Sequence, residues 1–286
     1  MTQAGSDRPH QPGKEFRRPL PKRFYKAVSV DVVVPSPLVG EGRGGGDRRT
    51  SALGIPPTPN PSPQGGGESR PQYRVLLDGK PMRTPAKAVF AVPSRALAEA
   101  IAAEWEAQGE RIDPASMPLT RIANSAIDGV SGHEVQVRAD MAKYAASDLV
   151  CYRADGPAEL AQRQAEVWDG VVAWADEVLG ARLRIGTGIM PVAQSETALE
   201  RIAEALAGFD AFALAALHVI TTLTGSTVLA LAHARGRLTA EVAWAAAHVD
   251  EDFQISQWGD DAEAKARRQR RWAEMQAASR MLALLG

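Results

Sequence analysis

The chain has 286 residues, of which 45% are hydrophobic and 23% charged, so wholesale disorder is excluded. Lys and Arg (33) nearly cancel Asp and Glu (34), which leaves no global pull toward nucleic acid or an anionic membrane. The single cysteine, Cys151, excludes an internal disulfide and a cysteine-based zinc cluster, and fits a reducing compartment.

The first 22 residues contain no apolar run that could serve as the core of a signal peptide, and they read as a disordered tail. RFYKAVSVDVVV (23–34) then has the aromatic and β-branched content of a strand. Residues 33–70 change character: nine glycines and a concentration of prolines between 35 and 67 cannot bury enough apolar surface to offset the entropy of ordering them. This segment reads as a disordered insertion. Its ends, PSPLVGEGRGGG and PTPNPSPQGGG, look like translated arms of a DNA inverted repeat, because proline and glycine codons are near-complementary; coding DNA without a hairpin would refute that. GEGRGGG follows no strand and opens no helix, which argues against a phosphate loop.

Downstream, QYRVLLDGKPMRTPAKAVFAVP (72–93) predicts a strand, a turn at Asp78-Gly79, a short strand, and a third strand at 88–92. The sheet is expected to be antiparallel, with the insertion lengthening the loop between its first two strands. From Ser94 onward the pattern is helical. Ser94 caps a helix that stops by Gly109, and segments 118–128 and 133–150 follow. Pro157 opens a long helix closed by Gly180, Ser195 caps another, and Thr239 starts a last helical region running nearly to Gly286. Residues 211–234 lack Asp, Glu, Lys and Arg, and about 20 apolar residues would span a bilayer. Polar residues interrupt the stretch, however, and Gly225 divides it, so it reads as buried helices broken at Thr224-Gly225-Ser226. The expected class is α+β: a small N-terminal antiparallel-sheet domain with a packed helix (23–128), then an all-helical domain (129–286).

No G-x-S-x-G elbow is present, and Cys151, after the apolar pair Leu149-Val150, reads as a small core hydrophobe. His218, His233 and His248 recur without the HxxxH or His-carboxylate spacing of a metal site. Arg267, Arg268, Arg270 and Arg271 could contact phosphate, but the helical pairs Asp261–Lys265 and Glu263–Arg267 favour a solvated face. The block VDEDFQISQWGDDAEAKARRQRRW (249–272) is the least ordinary part of the chain. In one continuous helix Trp244, Glu251 and Trp258, spaced by sevens, would line a single face, with Gln254 and Asp261 beside it. That pattern fits either two inward indoles with Glu251 paired to an arginine, or a recognition surface anchored by tryptophan. Trp105, between Glu104 and Glu106 near the end of its helix, fits packing on the sheet or a partner contact.

LLDGKPMRTPAK (76–87), AEWEAQGERIDPASMPLTRIANSAID (103–128), YAASDLVCYRA (144–154), GSTVLALAHARG (225–236) and DEDFQISQWGDDAEA (250–264) resemble the ATP synthase assembly-chaperone family dedicated to the α subunit of the catalytic head. The resemblance runs from Arg23 to the C-terminus in order, and the Pro/Gly-rich insertion is the departure from it. It implies a non-enzymatic chaperone without a cofactor, monomeric when free. Such a protein covers the surface of the free α subunit that later meets the β subunit. It also implies an orthogonal helical domain; the lack of a targeting signal and the repeat-like insertion suggest the bacterial cytoplasm, while for a eukaryotic source the resemblance implies the mitochondrial matrix. Partner contact is placed on Glu251, Gln254, Gln257, Trp258 and Asp261, while Trp105 matches the family's aromatic in the N-terminal domain. The alternatives are an enzyme using Glu251 or Asp261 in a cleft between domains, and a nucleic-acid binder using Arg267–Arg271; no nucleophile, metal set or phosphate loop accompanies those carboxylates.

Overall fold

In the computed structural model, residues 19–33 and 71–286 are described, so most of the expected tail and the insertion beyond Val33 lie outside the described residues. The last tail residues are held: Pro21 O accepts from the Ile112 N–H at 2.9 Å and Leu20 O from Arg111 at 2.7 Å. Strand β1 (Val28–Val33) runs antiparallel to β2 (Gln72–Leu77), with Val30 opposite Val75. Alternation along β2 turns Val75 and Leu77 into the core. The expected hairpin forms: Asp78 (φ 48°) and Gly79 (φ 75°) both adopt the left-handed region that a type I′ turn requires. β3 (Lys80–Pro81) and β4 (Ala91–Val92) then share the far edge of β2. Asp78 also accepts from the Lys26 and Ala27 N–H groups, each at 2.9 Å, and these bonds hold its carboxyl below the usual range.

Ser94 caps α1 (Arg95–Glu106), accepting from Leu97 N–H at 3.2 Å, and Leu97, Ala98 and Ile101 are buried. The next helix, α2 (Pro118–Ser125), continues as a π-turn over Ala126–Val130. Its N-cap position is Met117, which has no acceptor, and Glu104 of α1 takes the role from a distance. Glu104 accepts from Leu119 N–H at 2.7 Å, and from Thr120 N–H and the Thr120 hydroxyl at 2.8 and 2.7 Å. Burial pushes its carboxyl up while these donors pull it down. Glu104→Ala is expected to cost about 2 kcal/mol by orphaning the first N–H groups of α2. Urea unfolding checks this: the midpoint falls and the slope is unchanged.

The rest is mainly helical, though not the all-helical domain expected, because a two-stranded pair interrupts it: α3 (Glu134–Ala146), α4 (Ala158–Leu179), α5 (Glu196–Ala207), α6 (Ala211–Thr224), α7 (Thr227–Ala234), α8 (Ala240–Ala247), α9 (Val249–Trp258) and α10 (Ala262–Leu285). The class is α+β, as expected. Pro157 and Gly180 bracket α4, and Ser195 and Thr239 cap α5 and α8. The apolar stretch 211–234 is the expected pair of helices, α6 and α7, meeting at Gly225. Among the described residues no helix is long and apolar enough to cross a membrane. The helix expected to reach residue 150 ends at Ala146, because Asp148 leaves the helical path to cap both the Leu149–Cys151 turn and α7. Cys151 is buried, and its thiol is pushed up to about 12, which keeps it protonated and inert. Two-residue strands β5 (Tyr152–Arg153) and β6 (Gly186–Thr187) pair in parallel beside α4. Helix α10 packs on α6, α2 and α1, and Ser94 Oγ donates to Leu284 O at 2.5 Å, so the C-terminal helix braces the helices of the N-terminal half.

Candidate partner-binding site

The stretch 244–261 is not the single helix that heptad spacing suggests. A first break falls at His248 (φ −119°, ψ 20°), whose Nδ1–H donates to Trp244 O at 2.7 Å while its ring lies 3.9 Å from the Trp244 ring. The second is at Gly259 (φ +85°, ψ 174°), a conformation open only to glycine. Asp261 consequently stands outside α9 and caps α10, accepting from Ala264 N–H at 2.9 Å. Lys265 turns to Asp260 at 3.7 Å rather than to Asp261. The two indoles part company: Trp244 is 8% exposed, against Trp272 at 5.4 Å, whereas Trp258 is 79% exposed. The inward-facing expectation holds for Trp244 and fails for Trp258.

Helix α9 is fixed by its acidic residues. Asp250 accepts from Gln164 Nε2 of α4 at 2.7 Å, and Gln164 Oε1 accepts from Ala154 N–H at 2.7 Å. Asp252 pairs with Arg268 of α10, and this pairing holds the guanidinium above its ordinary value. Glu251 Oε2 lies 4.0 Å from Arg268 and 3.8 Å from His248 Nε2. Burial pushes His248 down, so its ring is neutral at neutral pH and Arg268 is the charged neighbour of Glu251. Phe253 is buried under the Arg163 guanidinium, which lies 5.2 Å from the ring centroid, and Trp168 of α4 donates to Ala246 O at 2.7 Å. With that inner face anchored, Gln254, Gln257 and Trp258 are left exposed on the outer one. Beside them, a cleft of about 290 Å³ between α9 and α10 has Trp244, Ile255 and Trp272 as apolar lining and Glu251, Lys265 and Arg268 among its charged groups.

The arginine run is divided. Arg268 faces α9, Arg271 donates to Leu223 O at 2.7 Å, and Arg267 and Arg270 are exposed. Glu274 pairs with Arg121 of α2 at 3.0 Å. Trp105 lines a different cleft, of about 380 Å³, with Phe24 and Met82. Its ring is 5.6 Å from Tyr25, whose hydroxyl donates to Trp105 O at 2.6 Å, and its own Nε1 is buried without a partner. The site thus brings together Glu251, Gln254, Gln257 and Trp258, puts Asp261 at the adjoining helix start, and keeps Trp105 apart. Sequence reasoning missed Arg268 and Trp272 as the other wall, since no local period links them to α9. Among the described residues no group of three His, Cys, Asp or Glu is placed to hold a metal.

This fold recurs in solved structures of chaperones. The crystal structure of Atp12 from Paracoccus denitrificans is 38% identical, with 93% of this chain and 99% of that one covered and a TM-score of 0.74. The Atu1473 protein of Agrobacterium tumefaciens, described as a putative chaperone, is 42% identical over 95% of this chain and 89% of that one, with a TM-score of 0.78. Residues 62–176 match the family model described as ATP12 chaperone protein. The chain belongs to the ATP12 chaperone family, the ATP synthase assembly chaperones that its motifs resemble.

Proposed function

We propose that the protein holds the free α subunit of the F-type ATP synthase catalytic head until that subunit is assembled, binding it through α9 and the start of α10 without catalysing a reaction. The observation that carries this reading is Trp258, 79% exposed at the end of a helix whose opposite face is locked to α4 and α10. An indole left in water on a rigid shelf, flanked by Gln254 and Gln257, is the composition of a binding anchor. An unassembled subunit has the complementary need, because its uncovered interface aggregates. Asp261 acts here by starting α10, Glu251 offers a carboxylate at the cleft rim, and Trp105 is a structural residue of the N-terminal half. The setting is the cytoplasm of a bacterium, with the chaperone monomeric when free.

The rival readings lose their residues: Asp261 is engaged as a cap and Glu251 faces Arg268, which leaves no acid–base pair between them, and two of the four arginines point inward. Light scattering of purified α subunit with and without equimolar chaperone tests the proposal, and unchanged aggregation refutes it. Glu251→Lys sets a third cation beside Lys265 and Arg268, and is expected to weaken α-subunit binding about tenfold while helical circular dichroism is retained. Full affinity, or loss of the helical signal, sinks the role given to Glu251.

A further inference from the structure

The loop from Arg184 to Gln194 carries Ile185, Ile189 and Met190 at 47%, 96% and 73% exposure. Apolar side chains so placed would fold back on their own chain if the backbone were free to let them. It is not free. At the neck, Arg184 N–H donates to Gln194 Oε1 at 2.8 Å and Gln194 Nε2 donates to Arg184 O at 2.9 Å. Further out, β6 pairs with β5, and Gly188 N–H donates to Arg153 O at 2.8 Å. A Cβ on Gly186 would lie 2.1 Å from Val192 Cγ2, so the Val192 side chain of the returning segment rests directly on that backbone, and Gly188 holds φ +77°. The tip is therefore built to stand outward.

The same turn of chain seats both this loop and α9. Asp155 approaches Gly188 within 3.5 Å of where its Cβ would be, and the neighbouring Ala154 is bonded to Gln164, which is bonded to Asp250. We propose that the Ile189–Met190 tip is a second contact for the polypeptide held at α9, taking an apolar patch of the free α subunit that a neighbouring subunit later covers. This rests on the function proposed above. Methionine suits the task, because its unbranched thioether adapts to an imperfect surface. A lipid surface is disfavoured: Arg182 is paired with Asp176 at 3.0 Å, and Arg184, the one basic residue between 184 and 194, is offset by Asp155 beside Gly188, so the loop lacks the cationic excess a shallow anchor needs. Two side chains are also too little surface for a stable dimer of this chain.

The test is the full-length double variant Ile189→Ser/Met190→Ser on immobilised free α subunit, beside the parent. The dissociation constant is expected to rise about tenfold or more with an unchanged melting temperature. A photo-crosslinking residue at Met190 is expected to give an adduct with α. Unchanged affinity overturns the inference and leaves the proposed function standing; a parent chain that ignores α overturns both. An adduct with a second copy of the chain overturns the inference too, as does retention on phosphatidylcholine–phosphatidylglycerol vesicles that the double variant loses.

Discussion

Trp258→Ala is expected to weaken capture of the free α subunit by about thirtyfold, the effect of losing a central anchor of roughly 2 kcal/mol. The same substitution is expected to leave folding stability within about 0.5 kcal/mol of the parent, because a side chain 79% exposed has little packing to lose. Trp244→Ala is the internal contrast. That indole lies 8% exposed between His248 and Trp272, and its removal should cost about 3–5 kcal/mol through the cavity left behind. The pair separates recognition from packing within fourteen residues of sequence. Calorimetric titration with α, alongside thermal unfolding, reads both quantities. A Trp258→Ala chaperone that binds α as the parent does would remove the main support for placing the partner on α9.

The divergence of those two tryptophans marks where sequence reasoning reaches its limit. Local signals read correctly: Ser94, Ser195 and Thr239 as caps, the Pro157 and Gly180 brackets of α4, the Asp78-Gly79 hairpin and the division of 211–234 at Gly225. Each depends on bonds within a few residues, so the information is contiguous. The break at His248 has no glycine or proline to announce it; His248 is buried against Trp244, and Asp250 is tied to Gln164, 86 residues earlier. Seven-residue spacing therefore suggests a shared face that the chain interrupts. Gly259 is visible in the sequence, but the same spacing runs across it and masks its meaning as a break. Glu104 capping α2 and Arg268 closing on α9 join residues about four turns of helix apart in number, on different elements, where periodicity carries no information. The exposed amides and indole of α9 are legible as residue types, while their common outward face follows from where the acids are anchored.

Asp148→Ala is expected to destabilise the fold by about 3 kcal/mol at neutral pH, with a deficit that widens in mild acid. Asp148 is fully buried and accepts from Val150 N–H at 3.2 Å and Val228 N–H at 3.1 Å, holding the turn after α3 to the start of α7. Alanine leaves those donors unmatched in the interior. Burial is the stronger influence on the carboxyl itself, pushing it from its ordinary 3.8 to about 6 against the pull of its donors. The sign follows from that direction. The unfolded chain ionises this group first as pH rises, so the native state loses stability from it between pH 4 and 6. The full amount is about 3 kcal/mol, of which roughly 1 kcal/mol falls between pH 5 and pH 7. In acid the parent regains that increment and the alanine variant, lacking the carboxyl, does not. Urea unfolding of both proteins at pH 5 and pH 7 should show the variant's deficit larger at pH 5 by roughly 1 kcal/mol. An equal deficit at both values would mean that Asp148 titrates in the native state as a solvated acid does, and would overturn the raised carboxyl. Because α7 packs on α4, and α4 carries the bond to Asp250, the variant should bind α at pH 7 only in proportion to its folded fraction.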